Sequence, residues 1–111
     1  MSNSSEVFAR LMGVIESRKG AAADASYTAS LFAGGIDEIG AKIGEEAGEV
    51  IGAAHEQGES GRTHLVNEAA DLIFHLFVMM AHRGVSLAEV EAELARRFGV
   101  SGHDEKAGRK R

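Results

Sequence analysis

The sequence predicts an all-α fold: a bundle of four to five helices built on a central antiparallel helix hairpin. Three observations carry this. Apolar residues recur at three- and four-residue spacing in several separate stretches, which is the signature of one buried helix face. No stretch alternates apolar and polar residues with β-branched enrichment. Glycine-rich breaks, with no proline anywhere, separate the periodic stretches.

The first helix is expected to open at Asn3, with Glu6 as its capping partner three residues on. Val7, Phe8, Leu11, Met12 and Ile15 then form its inward face, and Gly20 ends it. Ser26 to Phe32 reads as a short helix closed by Gly34-Gly35. Ile36 to Gln57 is a long helix with Ile36, Ile39, Ile43, Val50, Ile51 and Ala54 buried. Gly58-Glu59-Ser60-Gly61 reads as the turn into a second long helix, Arg62 to Arg83. That helix carries Leu65, Ala69, Leu72, Leu76 and Met79 inward, beside Val66, Ile73 and Met80. Ser86-Leu87-Ala88-Glu89 has the pattern of a capping box, opening a last helix with Leu87, Val90, Leu94 and Phe98 inward.

Composition bounds what this fold can do. The 111 residues suit one domain, expected over residues 1–100 with a polar tail at 101–111. Hydrophobic residues make up 44%, but aromatic ones only 5% and much of the rest is alanine, so one copy builds a thin core. Completion of the bundle by homodimerisation, or a higher homo-oligomer, is the expected remedy. A net charge of −5 argues against a general nucleic-acid binder. The absence of cysteine suits a reducing compartment. The first residues lack the blocks of a signal peptide, and the longest uncharged run is too short to span a bilayer. A cytoplasmic protein with no membrane partner is expected.

Two acid clusters stand out. Glu45, Glu46 and Glu49 fall on one long helix, and Glu68 and Asp71 on the other. An acid on a core-forming helix is costly unless something positive lies against it. Residues three and four apart share a helix face, so Glu46 stands beside Glu49 and Glu68 beside Asp71. With the hairpin centred between Glu59 and Ser60, the two pairs lie at matched heights and face each other. Oxygen ligands without cysteine favour Mg²⁺, with Mn²⁺ as an alternative. Such an ion keeps open positions for substrate phosphates and suggests attack of water on a phosphoanhydride. Glu45 is placed to orient or deprotonate that water. The competing reading is a solvated acidic helix surface.

The acid pattern Glu45-Glu46-x-x-Glu49 followed by Glu68-x-x-Asp71 resembles the MazG-type all-α nucleotide pyrophosphohydrolases. The flanks narrow the resemblance to the phosphoribosyl-ATP pyrophosphatase family of histidine biosynthesis. They are Ser26-Tyr27-Thr28-Ala29-Ser30-Leu31, Lys42-Ile43-Gly44, the Leu72-Ile73-Phe74-His75 run after Asp71, Arg83-Gly84-Val85-Ser86-Leu87, and the tail Ser101-Gly102-His103-Asp104-Glu105-Lys106-Ala107. The similarity runs nearly the whole chain from Val7. It implies hydrolysis of phosphoribosyl-ATP to phosphoribosyl-AMP and pyrophosphate by a stand-alone enzyme. By the same resemblance Glu46, Glu49, Glu68 and Asp71 would bind Mg²⁺, and Glu45 would be the auxiliary acid.

Secondary candidates carry two readings each. Lys42 is placed to meet a substrate phosphate or to pair with Glu45 or Glu46. Ser26, Tyr27 and Thr28 can bond ribose or phosphate, while Ser26 also suits a helix N-cap. Lys106 and Arg109 can close over an anionic substrate, or belong to a mobile tail. His75 is expected to be buried and bonded to a carboxylate behind the ligands; His55, His64 and His82 are expected to be solvated. Gly40, Gly44, Gly48 and Gly52 form a stripe, read either as a close approach or as composition. Two rival functions stand beside the main one. One is a MazG-type enzyme for other nucleoside triphosphates. The other is a non-enzymatic helical scaffold or metal-binding bundle, which the lack of any Glu-x-x-His pair disfavours.

Overall fold

A computed structural model describes residues 6–100, and among these the chain is all-α with four helices. Helix α1 spans Val7–Ser17, α2 Tyr27–His55, α3 Gly58–His82 and α4 Leu87–Arg96. The opening cap proposed at Asn3 lies outside the described residues. The position before α1 is Glu6, whose side chain makes no capping bond.

The short and long helices expected on either side of Gly34-Gly35 form one element. Within α2, Gly35 adopts φ 76°, ψ −165°, a left-handed break that only glycine adopts without strain. The two expected helices are thus two segments of α2, joined at a kink. Ser26 caps the front segment, its Oγ accepting the Ala29 N–H at 3.0 Å. At the other end of the chain the predicted capping box is complete. Ser86 Oγ accepts the Glu89 N–H at 3.1 Å, and the Ser86 N–H donates to Glu89 Oε2 at 2.9 Å. The Ser86 N–H, assisted by the Ser86 hydroxyl at 3.0 Å from the same oxygen, holds the Glu89 carboxyl below its ordinary pKa.

The hairpin turn is not where the glycines suggested. Helix α2 stops at His55, Glu56 and Gln57 are extended, and α3 begins at Gly58 with φ 78°. Residues 58–61, expected as the turn, are the first turn of α3. Gly58 supplies the left-handed pivot out of the turn. Gly61 is buried against it: a Cβ there would lie 2.6 Å from the Glu56 carbonyl oxygen. The turn is therefore tight, and its centre lies between Glu56 and Gln57.

The core forms where α1 and the kinked front of α2 pack on the second half of α3. Met12, Ile15, Leu31, Ile39, Phe77, Val78, Met80 and Ala81 make it up. Full burial of side chains such as Ile15, Leu31, Ile39 and Val78 contributes roughly 1.5–3 kcal/mol each. Leu87 and Val90 of α4 pack at its edge. Several residues expected inside lie outside. Ile51 and Val66 are each 62% exposed, Phe98 is 80% exposed, and Ile36, Leu76, Leu94, Val7 and Phe8 are also exposed. For those on α2 and α3 the reason is architectural: among the described residues no second layer covers both faces of the hairpin. Helix α3 reaches a mean hydropathy of 1.2 over its most apolar window, at the margin for a membrane span, yet it carries the acids Glu68 and Asp71.

Candidate functional site

The displaced turn changes which residues meet. Moving its centre three residues toward the N-terminus slides the facing register by six, so Glu49 meets the neighbourhood of His64 rather than that of Asp71. The acids form two groups that share a member. Oxygens of Glu46, Glu68 and Asp71 lie within 4.8 Å of one another. Ligand atoms of Glu49, His64 and Glu68 do the same. All four predicted metal ligands are thus gathered on facing helices, with Glu68 at the junction.

Electrostatics follow from that crowding. Glu46 shares a side-chain hydrogen bond with Glu68, which requires a proton on one of the two carboxyls. This bond, then burial and the negative charges of Asp71, Glu68 and Glu45, push the Glu46 carboxyl up to about 7. A proton and a divalent cation are alternative ways to neutralise such a cluster. The all-oxygen set Glu46, Glu68 and Asp71 fits a hard cation of the Mg²⁺ or Mn²⁺ type.

Glu45 belongs to neither group. Its side chain is over half exposed, and Oε1 lies 3.6 Å from Lys42 Nζ, an i,i+3 pair on the surface of α2. Lys42 therefore has a surface partner in Glu45 and lies beside the acids rather than among them. Ser26 is committed as the α2 cap, and Thr28 is half-buried on the first turn. Tyr27 reaches further. Its ring stacks on Phe74 with centroids 6.2 Å apart, and its hydroxyl lies 2.8 Å from His75 Nε2. The phenol is pushed up by burial and by Glu46, Glu38 and Glu45, while Lys42 acts against the rise, so Tyr27 senses the acid cluster. Lys106 and Arg109 lie outside the described residues.

His75 is buried, as expected, but its partners are not carboxylates. Nδ1 lies 2.8 Å from the Asp71 carbonyl oxygen, which can only accept, so Nδ1 carries a hydrogen. In the neutral ring Nε2 then accepts from the Tyr27 hydroxyl. His75 thus ties the first turn of α2 to the backbone of the turn bearing Asp71.

Two expectations about histidines are corrected. His82 is not simply solvated; its ring stacks on Phe32 with centroids 6.3 Å apart. His64 is the larger correction. Nδ1 donates to Glu56 Oε2 at 2.9 Å, and Nε2 lies 3.3 Å from Glu68 Oε2. The Glu56 contact, with burial opposing and Glu68 assisting, raises the imidazole pKa. Sequence reasoning missed His64 because it placed the turn at Gly58–Gly61. With the centre at Glu56-Gln57, His64 and Glu49 are mirror positions. Among the described residues the Gly stripe meets nothing within 4 Å at Gly44, Gly48 or Gly52, and a Cβ at Gly40 would meet the Met79 methyl at 3.8 Å.

The chain matches a family model described as phosphoribosyl-ATP pyrophosphohydrolase over residues 8–98. It is 53% identical over 100 residues to a phosphoribosyl-ATP pyrophosphatase of Rhodopirellula baltica, covering 90% of this chain and 83% of that one. A phosphoribosyl-ATP pyrophosphatase of Geobacter sulfurreducens is 49% identical over 110 residues, with 98% of each chain covered. One from Cereibacter sphaeroides is 52% identical over 103 residues, covering 93% of this chain and 97% of its own.

Proposed function

The chain belongs to the phosphoribosyl-ATP pyrophosphohydrolase family, and from that premise we propose that it hydrolyses phosphoribosyl-ATP to phosphoribosyl-AMP and pyrophosphate, in the cytoplasm and as a homodimer. The observation that carries the reading is the oxygen cluster of Glu46, Glu68 and Asp71 across the α2–α3 hairpin, extended by Glu49 through Glu68.

In this mechanism Glu46, Glu49, Glu68 and Asp71 would hold a divalent cation. A bound Mg²⁺ would neutralise phosphate charge and lower the pKa of a coordinated water. The carboxylate of Glu45, next to the cluster and open to solvent, receives the proton of the attacking water. The water oxygen joins one phosphorus of the α–β anhydride, and the bridging oxygen departs with the other phosphate. Lys42, released from Glu45 by substrate, meets a phosphate with its ammonium group. Tyr27 and Thr28, at the α2 N-terminus, line the approach to the ribose, with Ser26 fixing that turn. Lys106 and Arg109, in the polar tail that follows residue 100, are the further basic residues proposed to meet the anionic substrate. In the homodimer the partner covers apolar side chains that one copy leaves exposed.

Purified protein with Mg²⁺ is expected to release pyrophosphate from phosphoribosyl-ATP far faster than from common nucleoside triphosphates. Glu49→Gln is expected to abolish nearly all of that release. Robust turnover by the variant would sink the metal assignment, and preference for ordinary triphosphates would sink the substrate.

A further inference from the structure

We infer that Tyr27 meets its ligand through the open face of its ring, stacking on an N1-alkylated purine such as that of phosphoribosyl-ATP, and not through its hydroxyl. The assignment rests on the proposed substrate and says which part of that molecule Tyr27 reads. The hydroxyl is already committed. It donates to His75 Nε2 at 2.8 Å, while His75 Nδ1 donates to the Asp71 carbonyl at 2.8 Å, so one neutral imidazole satisfies both bonds. His75 is buried, and the bond to it turns the hydroxyl inward.

What remains open on Tyr27 is ring surface. The residue is 52% exposed, although one side of its ring stacks on Phe74 with planes 21° apart and the His75 ring meets it edge-on. The backbone beneath it is fixed before any ligand arrives. Ser26 caps that turn, and Ser30 Oγ donates to the Tyr27 carbonyl at 2.6 Å. A held aromatic face is a surface on which a nucleobase stacks at small conformational cost. Its place suits a base joined through one ribose to the reacting phosphates, because the imidazole that holds the hydroxyl is bonded to Asp71 of the acid cluster. The phenol also feels that cluster: its pKa is raised by burial and, against Lys42, by the charges of Glu46, Glu38 and Glu45. Alkylation at N1 makes adenine a cation near neutral pH, and both a ring face and nearby carboxylates attract a cation.

The chain has one tyrosine and no tryptophan, so isotope labelling of tyrosine rings gives NMR signals from Tyr27 alone. With Mg²⁺ present, 1-methyl-AMP is expected to move those signals upfield through the purine ring current, at a concentration about threefold lower than AMP requires. In turnover of phosphoribosyl-ATP, Tyr27→Leu is expected to raise KM about tenfold, the larger part of the loss falling on KM rather than kcat. Tyr27→Phe, which keeps the face and lacks the hydroxyl, recovers most of that loss. A Phe variant as impaired as the Leu variant, or ring signals unmoved by 1-methyl-AMP up to the millimolar range, overturns the stacking role. Equal half-saturation by AMP overturns the preference for the alkylated base. If wild type releases no pyrophosphate from phosphoribosyl-ATP, the proposed substrate falls; ring signals still moved by 1-methyl-AMP keep the purine platform, and unmoved ones remove both. The NMR arm needs no substitution, so it decides even where Tyr27→Leu does not fold.

Discussion

The hydroxyl of Tyr27 donates to Nε2 of His75 at 2.8 Å, joining residues 48 apart in sequence. The same imidazole donates from Nδ1 to the Asp71 carbonyl. This single ring couples the capped start of α2 to the acid-bearing stretch of α3. Tyr27→Phe removes the donor and leaves a buried ring nitrogen without its protein partner. The expected cost is about 1 kcal/mol, since Tyr27 is half exposed and water can partly replace it. Urea unfolding checks this, and an unchanged midpoint would show that the bond adds no net stability.

Stability without metal is expected to fall as pH rises through neutrality. Glu46 titrates near 7 in the folded chain against an ordinary 4.5, so folding favours its protonated form. That contribution is complete below about pH 4.5 and is lost as pH passes through about 7. His64, raised mainly by Glu56, acts in the same direction above its ordinary 6.5. Urea midpoints in EDTA should therefore be lower at pH 8 than at pH 5. Added Mg²⁺ should recover the loss at pH 8 by replacing the proton with a cation. A midpoint that rises between pH 5 and pH 8 in EDTA would contradict both shifts.

Two glycine substitutions should act oppositely. A Cβ at Gly61 would sit 2.6 Å from the Glu56 carbonyl oxygen, and backbone must move to admit it. Gly61→Ala is expected to destabilise by about 1–3 kcal/mol. At Gly52 nothing among the described residues lies within 4 Å, so Gly52→Ala should gain up to about 1 kcal/mol of helix propensity. Thermal melts of the two variants decide this. A stabilised Gly61→Ala would mean the turn relaxes freely, and a destabilised Gly52→Ala would mean a second copy approaches that helix face.

Association can be probed at Val66, 62% exposed on α3. If a partner covers it, Val66→Glu should lower the mass by sedimentation equilibrium to that of one chain while leaving the helical circular-dichroism signal intact. A wild-type chain already monomeric at high concentration would remove the proposed dimer.

The helices were legible in sequence because their apolar spacing is strong and their caps are explicit, as at Ser26 and Ser86. The break at Gly35 was legible for the same reason: two adjacent glycines interrupt a periodic pattern. The hairpin turn was not. Gly58 and Gly61 both serve it, yet one does so as its exit pivot and the other from inside α3. Composition marks where glycine is needed, not which side of it the helix resumes. That shift hid His64, although the acids themselves were identified by spacing alone. Val66 and Phe98 were misplaced for a different reason: periodicity identifies a face that seeks cover without saying whether the same chain provides it.

The tight turn at Glu56-Gln57 also bears on the order of folding. Every candidate ligand lies between Glu46 and Asp71, on one hairpin closed by a very short loop. Such local contacts form fast and need neither α1 nor α4. The carboxylates are consequently expected to meet early, before the core can hold them together against their repulsion. A cation in the refolding medium would then act on the rate of folding, by screening the first encounter of the two helices, as well as on the stability of the finished protein.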